Sequence, residues 1–199
     1  MRAFIIVKND FIGEYYLNDS KICDDLIKYF ESSNRKQPGV MGYETVDKNL
    51  KDSTDLSVNT YEVNQREHSV VLEYYNQVLE VLDQYVNDYP ECNNYGAFGV
   101  KEPFIFKRYK PGQGYKCWHC ERASAQPVAS DRHLVFMTYL NDVTDAGQTE
   151  FKIQKRKVDA RKGKTLIWPV DWTHTHRGIV SPTQLKYIVG GWFSYLDTP

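Results

Sequence analysis

The sequence predicts an α+β chain in which two amphipathic helices brace an antiparallel sandwich or jelly roll. Before Pro90, two segments place their apolar residues at helical spacing. After Pro90, short apolar or alternating runs are separated by turn residues, the pattern of a many-stranded sheet folded on itself. No repeat, low-complexity tract or linker divides the two halves. We therefore expect one domain over residues 1–199, with residues 1–100 as a helical and loop-rich part and residues 101–199 as the core.

In chain order, the first helix is expected over residues 20–33. Ile22, Cys23, Leu26, Ile27 and Phe30 share a face, Asp19 or Ser20 can cap, and Asp24 and Asp25 favour the first turn. Residues 35–64 are polar and read as loops with room for one short strand. Val71, Tyr74, Val78, Leu82 and Tyr85 mark a second helix over residues 65–89, which Pro90 stops. Strands are expected at 104–109, 115–121, 133–140, 149–153, 164–168, 173–176 and 185–195. Between them lie turn-rich segments such as Lys110-Pro111-Gly112-Gln113-Gly114 and Ser181-Pro182-Thr183.

Composition narrows the function. A net charge of −1 excludes strong polyelectrolyte attraction, so neither nucleic acid nor a membrane surface is an expected partner. The apolar run near the N-terminus, residues 3–7, is too short for a secretory signal, and no stretch approaches a membrane span. A cytoplasmic protein with reduced cysteines is the expectation. Oligomeric state is not readable.

The chemistry concentrates in five histidines' worth of sequence. His119 and Glu121 stand two apart in a strand-like run, so their side chains share a face. One imidazole and one carboxylate, joined by a second imidazole from a neighbouring strand, make the 2-His-1-carboxylate facial triad that non-haem Fe(II) oxygenases use. A solvent-facing polar strand accounts for the pair equally well when it is taken alone. His174 and His176 are both candidates for the third position. They too are two apart, so periodicity does not choose between them.

Several segments, in order, resemble prolyl-4-hydroxylase-like Fe(II)- and 2-oxoglutarate-dependent oxygenases. Residues 109–121, from Tyr109 through Gly112, Tyr115, His119 and Glu121, are similar to that family's Y-x-x-G-x-x-Y … H-x-D segment. Arg132 to Asp142 resembles its R-x-x-T-x-x-x-Y-L-N strand, and Gly147-Gln148-Thr149-Glu150-Phe151 its G-G-x-T-x-F. Residues 158–168 and His176-Arg177-Gly178 with Lys186 and Trp192 complete the pattern, which spans residues 106–195. The chain departs from it with Glu121 in place of Asp, no proline after Val158, and Gln184 in place of Gly.

The resemblance implies a double-stranded β-helix, the cupin-like jelly roll. It implies His119, Glu121 and His176 as ligands of Fe(II). It implies Lys186, with Tyr109 and Thr138, as the holders of the cosubstrate 2-oxoglutarate, and Arg132 and Trp192 as substrate-side residues. O2 is the oxidant and ascorbate an auxiliary reductant. The implied reaction hydroxylates an unactivated C–H bond, first of all in a prolyl residue, with release of succinate and CO2; the substrate is a peptide, a protein or a small molecule. Two other classes compete. A jelly-roll binding module without chemistry is kept open by Glu121. A thiol-disulfide oxidoreductase would use Cys117 and Cys120, but three residues apart on a strand they face opposite sides.

Overall fold

A computed structural model describes residues 10–41, 45–125 and 127–196. The expectations placed on residues 1–8 lie outside this range.

Strand β1 (Gly13–Tyr16) leads into α1 (Ile22–Ser32), which buries Ile22, Cys23, Leu26 and Phe30 as its spacing requires. The helix starts one residue beyond Lys21, and the Asp19 carboxylate accepts the Lys21 N–H at 2.9 Å. Lys36 closes the other end, its Nζ donating to the carbonyls of Phe30 and Glu31. Helix α2 (Ser69–Asp88) follows a 3₁₀ turn at Arg66–His68 and buries Val71, Tyr74, Val78, Val81 and Tyr85. Pro90 ends it and opens a 3₁₀ turn of its own.

Residues 35–64 correct the loop expectation. They hold β2 (Gln37–Pro38), β3 (Lys51–Asp52) and β4 (Thr54–Val58). Leu56 and Val58 are the only buried apolar residues of these three strands, too few to stand out from the polar sequence around them.

The remaining strands are β5 (Phe98–Val100), β6 (Phe104–Tyr109), β7 (Gly114–Tyr115), β8 (Arg132–Tyr139), β9 (Thr149–Phe151), β10 (Arg156–Val158), β11 (Lys164–Pro169), β12 (His176–Gly178) and β13 (Lys186–Tyr195). The expected strands at 115–121 and 173–176 do not form as continuous elements. The first shrinks to β7 followed by an isolated bridge at His119. The second becomes a 3₁₀ turn, Trp172–His174, before β12 begins.

The strands build a major antiparallel sheet in the order β1-β11-β8-β13-β6-β4-β2, with β5 also paired to β13. A minor sheet runs β10-β9-β12, and β3 pairs with β7. The major sheet separates two cores. On one face, α1 and α2 pack through Leu26, Phe30, Tyr74 and Val78 on Phe104, Phe106, Leu134, Phe136 and Phe193. On the other, Tyr109, Val135, Tyr139 and Ile188 meet Phe151 and Val158 of the minor sheet. The result is helices, major sheet and minor sheet in three layers, an α+β double-stranded β-helix with bracing helices. No helix among the described residues is long and apolar enough to cross a membrane.

Candidate metal centre and cosubstrate cavity

The gap between the two sheets is a cavity of about 440 Å³. Its walls come from alternate residues of the central strands: Ile105, Lys107 and Tyr109 of β6, Val135, Met137 and Tyr139 of β8, and Lys186, Ile188 and Trp192 of β13.

His119, Glu121 and His176 meet at one wall of this cavity. One ligand atom from each lies within 4.8 Å of the others. Backbone hydrogen bonds set this up without a regular strand. His119 and His176 exchange both main-chain bonds, at 3.0 and 2.9 Å, so the two imidazoles stand side by side. The Glu121 N–H donates to the Val170 carbonyl at 3.0 Å, which ties the carboxylate to the end of β11.

The histidine rings are oriented from behind. Nδ1 of His119 donates to the Cys117 carbonyl at 3.1 Å, and Nδ1 of His176 to the His174 carbonyl at 3.0 Å. A carbonyl only accepts, so each Nε2 carries its lone pair into the site. Tyr115 stacks on His119 at 3.8 Å, while Trp168 meets His176 edge-on at 5.0 Å. Oε1 of Glu121 lies 3.4 Å from both Nε2 atoms. Burial pulls the Glu121 carboxyl upward, but the two imidazoles outweigh it and hold it well below the usual carboxylate range. Burial lowers His176. An ionised carboxylate beside imidazole nitrogens with free lone pairs suits a divalent ion of the first transition row.

The longer Glu121 side chain has its own restraint. Its Oε2 accepts the Trp192 indole N–H at 3.0 Å. Arg132 lies 3.7 Å over the Trp192 ring, donates to the Glu121 main-chain carbonyl at 2.7 Å, and is itself held by buried Glu102. Arg132 and Trp192 therefore both line the cavity, with these donors turned toward Glu121 and Glu102.

His174 closes the 3₁₀ turn before β12 and points away from His176. Its Nε2 donates to the Asp10 carbonyl at 2.9 Å and its Nδ1 accepts from the Thr173 hydroxyl. It secures the segment leading to β1 and takes no part in the cluster.

Lys186 pairs across the strands with Tyr109, whose ring centre lies 5.0 Å from Nζ. The ammonium donates to the Gly147 carbonyl at 3.0 Å. Gly147 has φ +83°, and a Cβ there would meet Val143, so only glycine presents the carbonyl this way. Burial lowers the Lys186 pKa to about 8.

Thr138 corrects an expectation. Its hydroxyl sits between Tyr74 of α2, at 3.0 Å, and Thr165, at 2.7 Å, on the helix side of the major sheet. Arg132 and Thr138 stand six apart and would share a face on a regular strand. Here β8 carries a bulge at His133, where Leu134 pairs with Phe193 and Arg132 with Ser194. The bulge moves Arg132 to the cavity side and leaves Thr138 behind. Tyr139 lines the cavity instead, its hydroxyl bonded to Thr149 at 2.6 Å. Tyr139, Thr149 and Tyr115, which belong to the quoted motifs but carried no assigned role, line the cavity too, as do Lys51 and Lys107. Alternation on β6 from Tyr109 would have found Lys107.

All four cysteines are free. Burial pushes the Cys117 and Cys120 thiols up, the reverse of what a reactive dithiol needs.

Comparison with known proteins follows the same lines. The family model of the 2OG-Fe(II) oxygenase superfamily matches residues 104–194. No curated protein matches the chain in sequence. Among solved structures, the chain is similar to the viral collagen prolyl hydroxylase of Paramecium Bursaria Chlorella virus-1 in its 2OG complex. The TM-score is 0.68 at 17% identity, covering 96% of this chain and 99% of that one. A Trichoplax adhaerens prolyl hydroxylase in complex with a hypoxia inducible factor peptide fragment gives 0.73 at 12% identity, covering 94% and 84%. A Pseudomonas putida prolyl-4-hydroxylase gives 0.67 at 16% identity, covering 92% of each chain. Residues 104–194 thus match the 2OG-Fe(II) oxygenase superfamily, and the chain shares the fold of these prolyl hydroxylases.

Proposed function

We propose that this chain is a 2-oxoglutarate- and Fe(II)-dependent dioxygenase that hydroxylates an unactivated C–H bond, with a prolyl residue of a peptide or protein as the first substrate class to test. His119 Nε2, His176 Nε2 and Glu121 Oε1 hold the iron. Lys186 meets the distal carboxylate of 2-oxoglutarate, with Tyr109 beside it. The observation that carries this reading is the convergence of the three ligand atoms within 4.8 Å. The prolyl assignment is supported by the similarity to prolyl hydroxylases, one of them bound to a peptide.

When bound, Fe(II) with 2-oxoglutarate and O2 supplies oxidative decarboxylation, to succinate and CO2, coupled to hydroxylation of the substrate. The chain's own residues do the rest. The two main-chain carbonyls behind His119 and His176 keep each Nε2 unprotonated and aimed at the ion. Trp192 holds Oε2 of Glu121, leaving Oε1 on the side of the histidines. Lys186 offers a buried ammonium for a charge-assisted hydrogen bond, stronger than the carbonyl contact it makes at Gly147. Ile105, Val135, Met137 and Ile188 make the wall around it apolar, which limits water at the reacting centre.

The test is an anaerobic titration of Fe(II) and 2-oxoglutarate, followed through the weak visible charge-transfer band of the chelated complex. The band is expected in the wild type and absent in His176→Ala, whose turnover should fall by at least about a hundredfold. Loss of a ligand exceeds the ten- to hundredfold typical of losing a ligand's supporting partner. Full activity in a folded His176→Ala would sink the triad.

A further inference from the structure

Five cationic side chains line the cavity: Lys51, Lys107, Arg132, Arg177 and Lys186. Three have carboxylate partners. Lys51 pairs with Asp55 at 2.7 Å, Arg132 with Glu102, and Arg177 with Glu150 at 2.8 Å. Lys186 is the one assigned above to 2-oxoglutarate. The Lys107 side chain makes no hydrogen bond or ion pair among the described residues.

Its direction is fixed by the strand. On β6, Phe104 and Phe106 enter the helix-side core, and Arg108 reaches Glu31 of α1 at 2.9 Å. Ile105, Lys107 and Tyr109 therefore face the cavity together. Across the strands, Lys107 stands opposite Ile188 of β13 and Asp55 of β4. Asp55 is already engaged, its Oδ2 with Lys51 and its Oδ1 with the Ser53 hydroxyl at 2.7 Å. Burial lowers the Lys107 pKa and Lys51 adds to the effect, against the opposing pull of Asp55 and Glu121.

Charge counting points the same way. Two positive charges on the iron, one negative on Glu121, two negative on 2-oxoglutarate and one positive on Lys186 sum to zero. The other paired cations cancel with their partners. Lys107 is left with no carboxylate of its own, since the nearest ones, Asp55 and Glu121, are engaged by Lys51 and Ser53 and by Trp192 and the two histidines.

We propose that Lys107 is the substrate-side anchor of this cavity, and that the substrate carries a carboxylate which Lys107 receives. This rests on the iron and 2-oxoglutarate reading above. The carboxylate belongs either to an amino-acid-like small molecule or to an acidic side chain next to the reacting residue of a peptide.

Two matched pairs of probes separate these sources: N-acetyl-L-proline against N-acetyl-L-prolinamide, and acetyl-Glu-Pro-Glu-amide against acetyl-Gln-Pro-Gln-amide. Affinities are measured by calorimetry on protein loaded with Mn(II) and 2-oxoglutarate, for the wild type, Lys107→Met and Lys107→Arg. The wild type should favour the carboxylate-bearing member of at least one pair by about tenfold, the scale of one charge-assisted hydrogen bond. Lys107→Arg should keep part of that preference and Lys107→Met none, with 2-oxoglutarate affinity unchanged in both. The pair that shows the preference names the source. Equal affinity within both pairs, including no binding of either member, overturns the proposal while the metal and cosubstrate reading stands. So does a preference that survives in Lys107→Met, or a loss of 2-oxoglutarate affinity in that variant, which would move Lys107 to the cosubstrate. Failure of the wild type to bind Mn(II) and 2-oxoglutarate overturns both readings.

Discussion

The two faces of the major sheet are built from the same strands, yet they hold opposite chemistry. On β6, Phe104 and Phe106 enter the helix-side core while Lys107 and Tyr109, one residue out of step, enter the cavity. On β8, Leu134, Phe136 and Thr138 face the helices, and Val135, Met137 and Tyr139 face the cavity. The helix face is apolar and its few hydroxyls are satisfied internally, as with Tyr74, Thr138 and Thr165. The cavity face collects charge, with Lys186, Lys107, Arg132 and Trp192 turned toward the three ligand side chains that the minor sheet and the loop before β8 bring in. The difference shows how one sheet turns one face to stability and the other to the site. Helix-face residues contribute burial; cavity-face residues spend part of that stability on partly unsatisfied polar groups.

Substitutions on each face break or sharpen the contrast. The largest effect is expected on the helix face. Phe106→Ala removes a fully buried ring and should cost about 3–5 kcal/mol of stability in denaturant unfolding. Its metal affinity, measured while still folded, should stay within a few-fold of wild type; a large loss would mean the faces are coupled.

Next comes Lys186→Met, which should weaken 2-oxoglutarate binding by about 10- to 150-fold with little change in metal affinity, the worth of a hydrogen bond to a charged group. The wild type should also show a pH signature. Only the ammonium form attracts a carboxylate, and the free-protein pKa is about 8. Affinity should hold below that pH and fall above it, by up to about tenfold per pH unit. A flat profile from pH 7 to 10 would remove Lys186 from the cosubstrate site.

Trp192→Phe keeps the ring but deletes the donor to Glu121 Oε2. Mn(II) affinity should drop about tenfold, as for other partners that orient a metal ligand. The smallest effect belongs to Thr138→Val. It strands the hydroxyls of Tyr74 and Thr165 on the helix side and should cost about 1 kcal/mol of stability. Its 2-oxoglutarate affinity should not move by more than about twofold, less than the worth of one hydrogen bond. A tenfold loss would return Thr138 to the cavity.

Much of this was legible in the residues. Helix α1 and α2 announced their buried faces through spacing, because a helix that must cover a sheet repeats its apolar contacts every turn. The strand of residues 104–109 coincides with β6. Strand β4 was hidden because Asp55 and Ser57 alternate with only two core residues, so its burial depends on neighbours far away in sequence. The histidine pair 174 and 176 was undecidable by periodicity. A strand puts both on one face, whereas the 3₁₀ turn at Trp172–His174 turns His174 toward Asp10. Thr138 was misplaced for a related reason: the bulge at His133 breaks the two-residue count that links it to Arg132.

The sequence by itself determined the class of fold and the types of donor gathered in its second half, because periodicity and residue chemistry are local properties. The tertiary structure decided which of those donors meet. His119 and His176 are brought together by a pair of backbone hydrogen bonds across 57 positions of chain, Glu121 by one bond to Val170, and Lys107 is left unpaired because Lys51 reaches Asp55 first. Long-range pairing, bulges and competition for a shared partner are settled only when the strands are laid side by side.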